Sequence, residues 1–332
     1  MDEGRRRTIK ALALGALAAS PLARAAAAAV PGPPPGAKSA PGGATVARAQ
    51  REGLLKDGQF DAAKLDAALG AAVARAAGEA TPRDACRKLF RKTDVVAIKV
   101  NCIARRGLST RPEVAAKLVS WLKEAGVPAR NILVFDRTDA ELVSAGYVLN
   151  HGGDDVRVFG TEGDYEPNVR EWGPSASRFP TFLVQDVTAV INLCVLKEHG
   201  LAGASLGMKN WYGVVHNPNK LHADHGRPFI PQLASFPLIN DKLRLTVVDG
   251  GVGQCEAGPM RNPRWQWPFA GFLASTNVAA LDFVGWKILE DRRREVGLPS
   301  FKDEGREPLY ILDAAKLGLG EADPARIKVE VV

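Results

Sequence analysis

The sequence predicts an α/β domain with a mostly parallel sheet and helices on both faces, placed after an N-terminal signal and a linker. Two observations support this prediction. Short apolar runs rich in valine and isoleucine, typical of buried parallel strands, alternate with amphipathic helical segments. The joints between them are short, as in strand–helix–strand units. A length of 332 residues with 46% hydrophobic residues suits one large domain and excludes disorder over most of the chain.

The first 25 residues have the three-part order of a signal peptide. Arginines at 5–7 precede an apolar run at 11–19, and a small-residue cleavage site follows at 23–25. The paired arginines resemble a twin-arginine signal, although Thr8 stands where an aromatic residue is preferred. The apolar run is too short to span a bilayer as a stable anchor. We therefore expect no stable membrane span in the mature chain. We therefore expect a periplasmic or otherwise exported protein that meets the twin-arginine translocation machinery transiently.

The net charge is +7 for the whole chain and +4 once the first 25 residues are removed, so much of the basic character belongs to the signal. We find no basic run with interleaved aromatic residues, and we expect no nucleic-acid partner.

The chain has four cysteines, and none lies within a dozen residues of another: Cys86, Cys102, Cys194 and Cys255. This spacing contains no ferredoxin-type run, so we expect no iron–sulfur cluster. Free buried thiols, one or two disulfides, or a cluster assembled from distant positions remain open. Burial is favoured because two of the cysteines lie in strand-like apolar runs.

Three segments follow the signal. Residues 26–50 form a linker rich in alanine, proline and glycine. The pattern becomes helical from Thr45, and residues 51–80 are assigned to an N-terminal helical segment with apolar residues three and four apart: Leu65, Leu69, Val73 and Ala76. Residues 81–332 form the α/β domain.

The elements of this domain are identified in chain order by their apolar patterns. Helices are expected from Thr110 as N-cap to Gly126, from Thr138 or Asp139 onwards, and over 276–294. Strands are expected at 94–101, 131–136, 155–159, 182–196, 242–251, 271–275 and 326–332.

Polar side chains stand where several predicted strands end. Lys99 and Asn101 end one strand, and Lys197 and His199 end another; each pair is two positions apart and so shares one face. Asp136 and Asp249 end two more strands. Loops at the carboxyl ends of parallel strands form the ligand sites of open α/β sheets, so we expect these side chains to meet.

The segment "GASLGMKNWYGVV" places Lys209 and Asn210 among small and apolar residues. A charge in such surroundings needs a partner or a bound anion. Taken singly, each residue has a plainer explanation: an aspartate at a strand end caps a helix, and a flanking lysine extends to solvent.

A second cluster contains His222, Asp224 and His225. On a helical turn, positions three apart place both imidazoles on one side, where they would bind a divalent metal. The alternative is a polar loop that covers the pocket. The glycines after Asp249 suggest a flexible loop over the site.

The segments "AIKVN", "STRPEVAAKLVSWLKEAGV", "VINLCVLKEHGLAGASLGMKNWYGVV", "LTVVDGG" and "GFLASTNVAALDFVGWKIL" resemble, in this order, the family known as domain of unknown function 362. The resemblance implies an α/β fold, frequent twin-arginine export and no settled activity. Some members carry a ferredoxin-like cysteine module, which this sequence lacks. Threonine is common where Glu198 stands, and Asn277 replaces a frequent aspartate. The matched positions are Lys99, Asn101, Lys197, His199, Lys209, Asn210, Gly213, Asp249, Gly250 and Asp282.

We therefore expect one pocket that holds a small carboxylate or phosphate. The catalytic candidates are Lys197, His199, Lys209 and Asp249, and the ligand-binding candidates are Lys99, Asn101, Asn210, Gly213 and Gly250. His199 would transfer protons because its ordinary pKa is near neutrality, and Asp249 would orient it or hold a cation. One of the clustered lysines would act as a base or Schiff-base nucleophile.

Three functions remain open from the sequence alone: an exported enzyme acting on an acidic metabolite, a non-catalytic ligand-binding or redox-accessory protein, and a metal-dependent enzyme that uses the His222 and His225 region.

Overall fold

A mostly parallel sheet dominates the computed structural model, which describes residues 43–173 and 175–332. Within these ranges the strands are β1 (Ala44–Gln50), β2 (Leu55–Lys56), β3 (Gln59–Phe60), β4 (Val96–Lys99), β5 (Ile132–Asp136), β6 (Arg157–Gly160), β7 (Arg170–Trp172), β8 (Ser175–Ser177), β9 (Ala189–His199), β10 (Gly203–Ser205), β11 (Leu243–Gln254), β12 (Gln266–Trp267), β13 (Gly271–Ser275) and β14 (Ile327–Val331). The predicted signal and most of the predicted linker lie outside the described residues.

The main sheet has the order β14-β1-β13-β11-β9-β4-β5-β6, with β10 beside β9 and β12 beside β11. The strands β11, β9, β4, β5 and β6 are parallel neighbours, whereas β13 runs antiparallel to both β11 and β1. The predicted α/β fold is confirmed. Because β9, β4 and β5 are adjacent and parallel, their carboxyl ends lie at the same edge of the sheet.

The helices are α1 (Ala62–Ala77), α2 (Pro82–Leu89), α3 (Pro112–Glu124), α4 (Asp139–Ala145), α5 (Thr181–Gln185), α6 (Gly207–Asn210), α7 (Phe229–Ser235), α8 (Pro237–Asn240), α9 (Val278–Glu295) and α10 (Tyr310–Lys316). Thr138 caps α4 as expected, by accepting a hydrogen bond from the Glu141 backbone. The expected cap at Thr110 is wrong: α3 begins after Arg111 without a side-chain cap, and the Thr110 hydroxyl accepts from the Asn101 backbone instead.

Helices cover both faces of the sheet because the strand residues alternate between two hydrophobic clusters. Val96 and Ile98 pack in the cluster that contains residues of α1, α2 and α3. Ala97, between them, packs in the cluster with residues of α7, α9 and α10. All four cysteines are buried free thiols, which agrees with the interpretation favoured from the sequence. No helix within the described ranges is long and apolar enough to cross a membrane.

Two assignments from the sequence are corrected. Residues 44–50, expected in the linker and the start of the helical pattern, form strand β1 between β14 and β13. The alanines of β1 have little strand preference, so the sequence did not show the pattern of a strand there. The stretch 182–196 was expected to be one strand, but α5 occupies its start and β9 begins at Ala189. Within the predicted helical segment 51–80, helix α1 covers Ala62–Ala77, with Leu65, Leu69, Val73 and Ala76 buried, whereas β2 and β3 form before it.

Asp282 joins α9 to the short helix α6. Its Oδ1 accepts from the Gly207 backbone at 2.7 Å and its Oδ2 from the Met208 backbone at 2.9 Å, and the side chain is fully buried. A Cβ at Gly207 would lie 2.9 Å from Thr246 Cγ2 and 3.0 Å from Asp282 Oδ1, so glycine permits this approach. Burial raises the pKa of Asp282 to about 7, against the effect of its two backbone hydrogen bonds. The position of α6 therefore depends on one carboxylate.

Asp282→Ala should lower the free energy of unfolding by about 2–3 kcal/mol, because it leaves two buried backbone N–H groups without an acceptor. Urea unfolding at pH 8 measures this change. The matched control is Asp291→Ala on the same helix, where the exposed carboxylate contacts Arg294 and the loss should stay within about 0.5 kcal/mol. Equal effects of the two substitutions would show that Asp282 does not anchor α6.

Candidate functional site

A cavity of about 490 Å³ lies at the carboxyl ends of β4, β5 and β9. The segment after β9, which includes β10 and α6, forms another wall. The residues that line the cavity are Lys99, Asn101, Ile103, Asp136, Arg137, Glu141, His199, Leu201, Ser205, Lys209, Asn210, Tyr212, Gly213, Pro218, Asn219, His222 and Pro259.

Lys99 and Asp136 form a buried ion pair at the ends of β4 and β5. Lys99 Nζ lies 2.6 Å from Asp136 Oδ1, with side-chain exposures of 1% and 5%. Lys99 also donates to the Val100 carbonyl, and the second Asp136 oxygen accepts from the Cys102 backbone. A Cβ at Gly213 would lie 2.9 Å from Lys99 Nζ, so the glycine leaves room for the pair. The charge of Lys99 is therefore balanced within the protein.

Asn210 connects three elements through its side-chain amide. Its Nδ2 donates to Asn192 Oδ1 at 2.7 Å, and its Oδ1 accepts from Asn101 Nδ2 at 3.0 Å. Lys99 Nζ lies 3.3 Å from the same oxygen. The amide thus ties α6 to β9 and to the end of β4. The predicted ligand-binding residues Asn101 and Asn210 therefore use their side-chain amides to hold protein groups in place.

Lys197, a predicted catalytic residue, is fully buried and is not among the residues that line the cavity. Its Nζ donates to Asn101 Oδ1 at 2.8 Å. Within residues 43–173 and 175–332, it forms no ion pair with a carboxylate. Burial lowers the pKa of Lys197 to about 8, although Asp136 opposes this shift.

Lys209 lines the cavity from α6. Its Nζ lies 3.2 Å from His222 Nε2 and 3.6 Å from the centroid of the Tyr212 ring. It too lacks an ion-pair partner in the described part of the chain. Burial, with a smaller contribution from the charge of Lys197, lowers the pKa of Lys209 to about 7. Lys209 is therefore an amine that changes its charge near neutral pH.

His199 is a neutral imidazole in this site. Its Nδ1 accepts from the Leu201 and Ala202 backbones at 3.2 and 3.3 Å, which assigns the proton of the neutral ring to Nε2. Burial and then the charge of Lys209 lower the pKa of His199 to about 2. The expectation that His199 titrates near neutrality is therefore wrong, and its role is restricted to that of a neutral hydrogen-bond donor.

Asp249 and Gly250 do not line the cavity, contrary to the prediction. The Asp249 carboxylate accepts from the Arg111 backbone at 3.1 Å and from the Gly251 backbone at 3.0 Å. A Cβ at Gly250 would lie 2.5 Å from the Phe269 ring, so this glycine serves packing. The expected flexible loop is also wrong, because β11 continues through Asp249 to Gln254.

The predicted metal ligands are not brought together. The chain kinks at 223–225, where Asp224 and His225 adopt positive φ angles of 48° and 57°, so the assumed helical turn does not form. His222 lines the cavity, whereas Asp224 and His225 line a different one. In the parts of the chain that the structure describes, no group of three or more His, Cys, Asp or Glu side chains is arranged to hold a metal ion.

Ser205 was missed by the sequence reasoning. It lines the cavity and pairs with Lys197 across the antiparallel β9–β10 hairpin. Cross-strand partners project on the same face, so the two side chains leave the sheet on the same side. The glycines between the two strands were the available signal, since they permit a tight turn.

Glu198 points away from Lys197 and His199, as the alternation of a strand requires. It forms a buried ion pair with Arg306, and one of its oxygens accepts from the Gly258 backbone. Arg306 also pairs with Glu256 and Glu304. These contacts fix the loop that brings Pro259 to the cavity. Glutamate therefore has a structural role here, at a position where the resemblance implied threonine.

Stability should fall as the pH is lowered from about 10 towards 7. Folding lowers the pKa of Lys209 from 10.5 to about 7. As the pH falls, the unfolded chain therefore binds a proton at this amine at a higher pH than the folded chain does, and this favours unfolding. The slope is at most about 1.4 kcal/mol per pH unit for one lysine. Lys209→Met should flatten the profile of unfolding free energy, measured with urea between pH 7 and 10. Lys123→Met, an exposed substitution on α3, is the control and should run parallel to the wild type. A Lys209→Met profile that is also parallel would contradict the shift.

A search of curated proteins found no match to this chain. A family model described as "Domain of unknown function (DUF362)" matches residues 96–287, which is more than half of the 332 residues. The match runs from β4 into α9 and contains every residue that lines the cavity. The chain belongs to the family of the domain of unknown function DUF362.

Proposed function

We propose that the cavity binds a small anionic metabolite through a carboxylate or phosphate group, and that the amine of Lys209 acts on it. The observation that supports this proposal is the contrast among three buried lysines. Lys99 has Asp136 as its counter-ion, whereas Lys197 and Lys209 have no carboxylate within ion-pair distance in the described residues.

An unpaired ammonium group is costly in a buried site. Burial makes both amines release their protons more readily, which their lowered pKa values of about 8 for Lys197 and about 7 for Lys209 express. An anion in the cavity would supply the missing countercharge to Lys209 and raise its pKa. Binding and proton uptake are therefore coupled near neutral pH.

The neighbouring polar groups suit an oxyanion. The Nε2–H of neutral His199 is a hydrogen-bond donor that carries no charge of its own, and the Ser205 hydroxyl adds a second donor. Asn101 and Asn210 act indirectly. Asn101 accepts a hydrogen bond from Lys197, and Asn210 accepts one from Lys99. A cavity of about 490 Å³ is in the range that accommodates small metabolites.

Lys209 favours an enzyme over a simple binder. With a pKa of about 7 it is partly unprotonated at neutral pH, and an unprotonated amine is both a base and a nucleophile towards carbonyl carbon. A site that only bound anions would gain from fully charged lysines. The signal-like residues 1–25 support action outside the cytoplasm, after export by the twin-arginine route.

Binding of 2-oxo acids should raise the thermal midpoint of the full chain, and Lys209→Met should abolish this shift. Differential scanning fluorimetry with pyruvate and glyoxylate measures it. Lys123→Met, which leaves the cavity intact, should keep the full shift. If the Lys209→Met protein responded to every anion as the wild type does, Lys209 would not belong to the anion site.

Calorimetry in two buffers of different ionisation enthalpy should show proton uptake on binding at pH 8. The same measurement at pH 6 should show less uptake, because Lys209 is already protonated there. Binding without proton exchange at pH 8 would contradict the coupling.

Borohydride reduction in the presence of pyruvate or glyoxylate should attach the keto acid to Lys209. The amine adds to the carbonyl carbon, water leaves, and the reduced imine survives as a stable secondary amine. Peptide mass spectrometry locates the adduct, and Lys209→Met is the control that should remove it. Unmodified Lys209 together with a normal anion-dependent thermal shift would indicate a binding protein instead of an enzyme of this type.

His199→Gln tests the role of His199 as a neutral donor. The amide still donates a hydrogen bond, so anion affinity, measured by calorimetry, should stay within about threefold, whereas His199→Leu, which removes the donor, should weaken it by at least about tenfold.

A further inference from the structure

A second cavity, of about 630 Å³, is lined by arginines that the proposed function does not use. We propose that it binds a phosphate group, free or as a phosphate monoester. The loop at 101–111 contributes residues to both cavities, with Ile103 in the first and Arg106, Gly107 and Ser109 in the second. The proposal is independent of any activity at Lys209.

Two of the arginines are held in place without an acidic partner. Arg106 and Arg261 form no ion pair within the ranges that the structure describes, yet each packs against a glycine. A Cβ at Gly107 would lie 2.5 Å from Arg261 Nε, and one at Gly146 would lie 3.2 Å from Arg106 Nε. These glycines, with φ angles of 96° and 104°, let the guanidinium groups lie against the main chain. The arginines are thereby positioned before any ligand arrives.

Arg111 adds a third guanidinium group at the amino end of α3. Its Nη1 donates to the Gly58 carbonyl at 2.7 Å, and the group stacks on the Phe60 ring at 5.0 Å. Glu113 contributes a carboxylate to the lining. Three arginines against this single carboxylate leave the cavity positively charged.

The start of α3 provides donors of another kind. The helix has no side-chain cap, and its amino end carries partial positive charge. Asp249 uses the Arg111 backbone N–H, so the first turn is only partly satisfied. Ser109 lines the cavity and is 6% exposed, and its Oγ has no hydrogen-bond partner among the residues that the structure describes. A buried hydroxyl without a partner is costly, and an oxyanion would provide one.

Phosphate fits this combination better than other ligands do. Guanidinium groups present paired donors that match two oxygens of a phosphate, and helix amino ends bind phosphate through the same partial charge. Exposed arginines alone interact weakly in water. Here three of them line one cavity together with a helix start and an unsatisfied hydroxyl, and no carboxylate of the described residues pairs with Arg106 or Arg261.

Calorimetric titration of the full-length Lys209→Met protein with inorganic phosphate tests the proposal, because that substitution removes Lys209 from the first cavity. We expect one phosphate per chain. Arg261→Gln and Arg106→Gln should each weaken binding by at least about tenfold, as loss of a charge-assisted hydrogen bond does. Ser109→Ala should weaken it by a few fold.

Arg130→Gln is the matched control, because Arg130 is exposed and lines neither cavity. Its affinity for phosphate should stay within about twofold of the parent protein. Equal affinities of the Arg261→Gln, Arg106→Gln and Arg130→Gln proteins would overturn the site, as would absence of phosphate binding to a folded Lys209→Met protein. Failure of the first cavity would instead appear as an unchanged response of Lys209→Met to pyruvate and glyoxylate, so the two proposals fail separately.

Discussion

The side-chain amide of Asn210 is the contact on which the geometry of the first cavity depends. Both of its polar atoms are used, one by Asn192 on β9 and the other by Asn101 after β4. In surroundings that exclude water, a network in which every group is satisfied has one favoured arrangement, because each alternative leaves a polar atom unpaired. Asp282 fixes the position of α6 by accepting hydrogen bonds from its first two backbone N–H groups. Together these two side chains determine where Lys209 stands.

A single acidic residue distinguishes the three lysines. Asp136 ends the strand next to Lys99 and forms an ion pair with that lysine. Among the described residues, the amine of Lys197 donates to an amide oxygen, and that of Lys209 contacts an imidazole and an aromatic ring. The same burial therefore yields an ion pair in one case and amines of lowered pKa in the others. The differences in pKa among these lysines therefore depend on which of them has a carboxylate as its partner.

Alternate side chains of strand β9 point to opposite faces of the sheet and have different structural roles. Lys197 and His199 face the cavity side, whereas Glu198 faces Arg306 and a network of charges that holds the neighbouring loop. The loop at 101–111 has a similar double role, since its residues contribute to both cavities. The catalytic proposal for Lys209 and the phosphate proposal for the arginines thus concern adjacent parts of one edge of the domain while depending on different side chains.

The sequence by itself determined the alternation of strands and helices, the edge at which Lys99, Lys197 and His199 lie, and the family, because these follow from local patterns of apolar and polar residues. It did not reveal β1, whose alanines carry little strand preference and whose place depends on β13 and β14. Only the tertiary structure decided that Asp249 accepts from the Arg111 backbone before α3, that His225 turns away from His222, and that Ser205 is the cross-strand partner of Lys197. The pKa of His199 was likewise beyond the sequence. These outcomes depend on which distant groups become neighbours and how much water they exclude, and neither quantity is encoded in the spacing of residues along the chain.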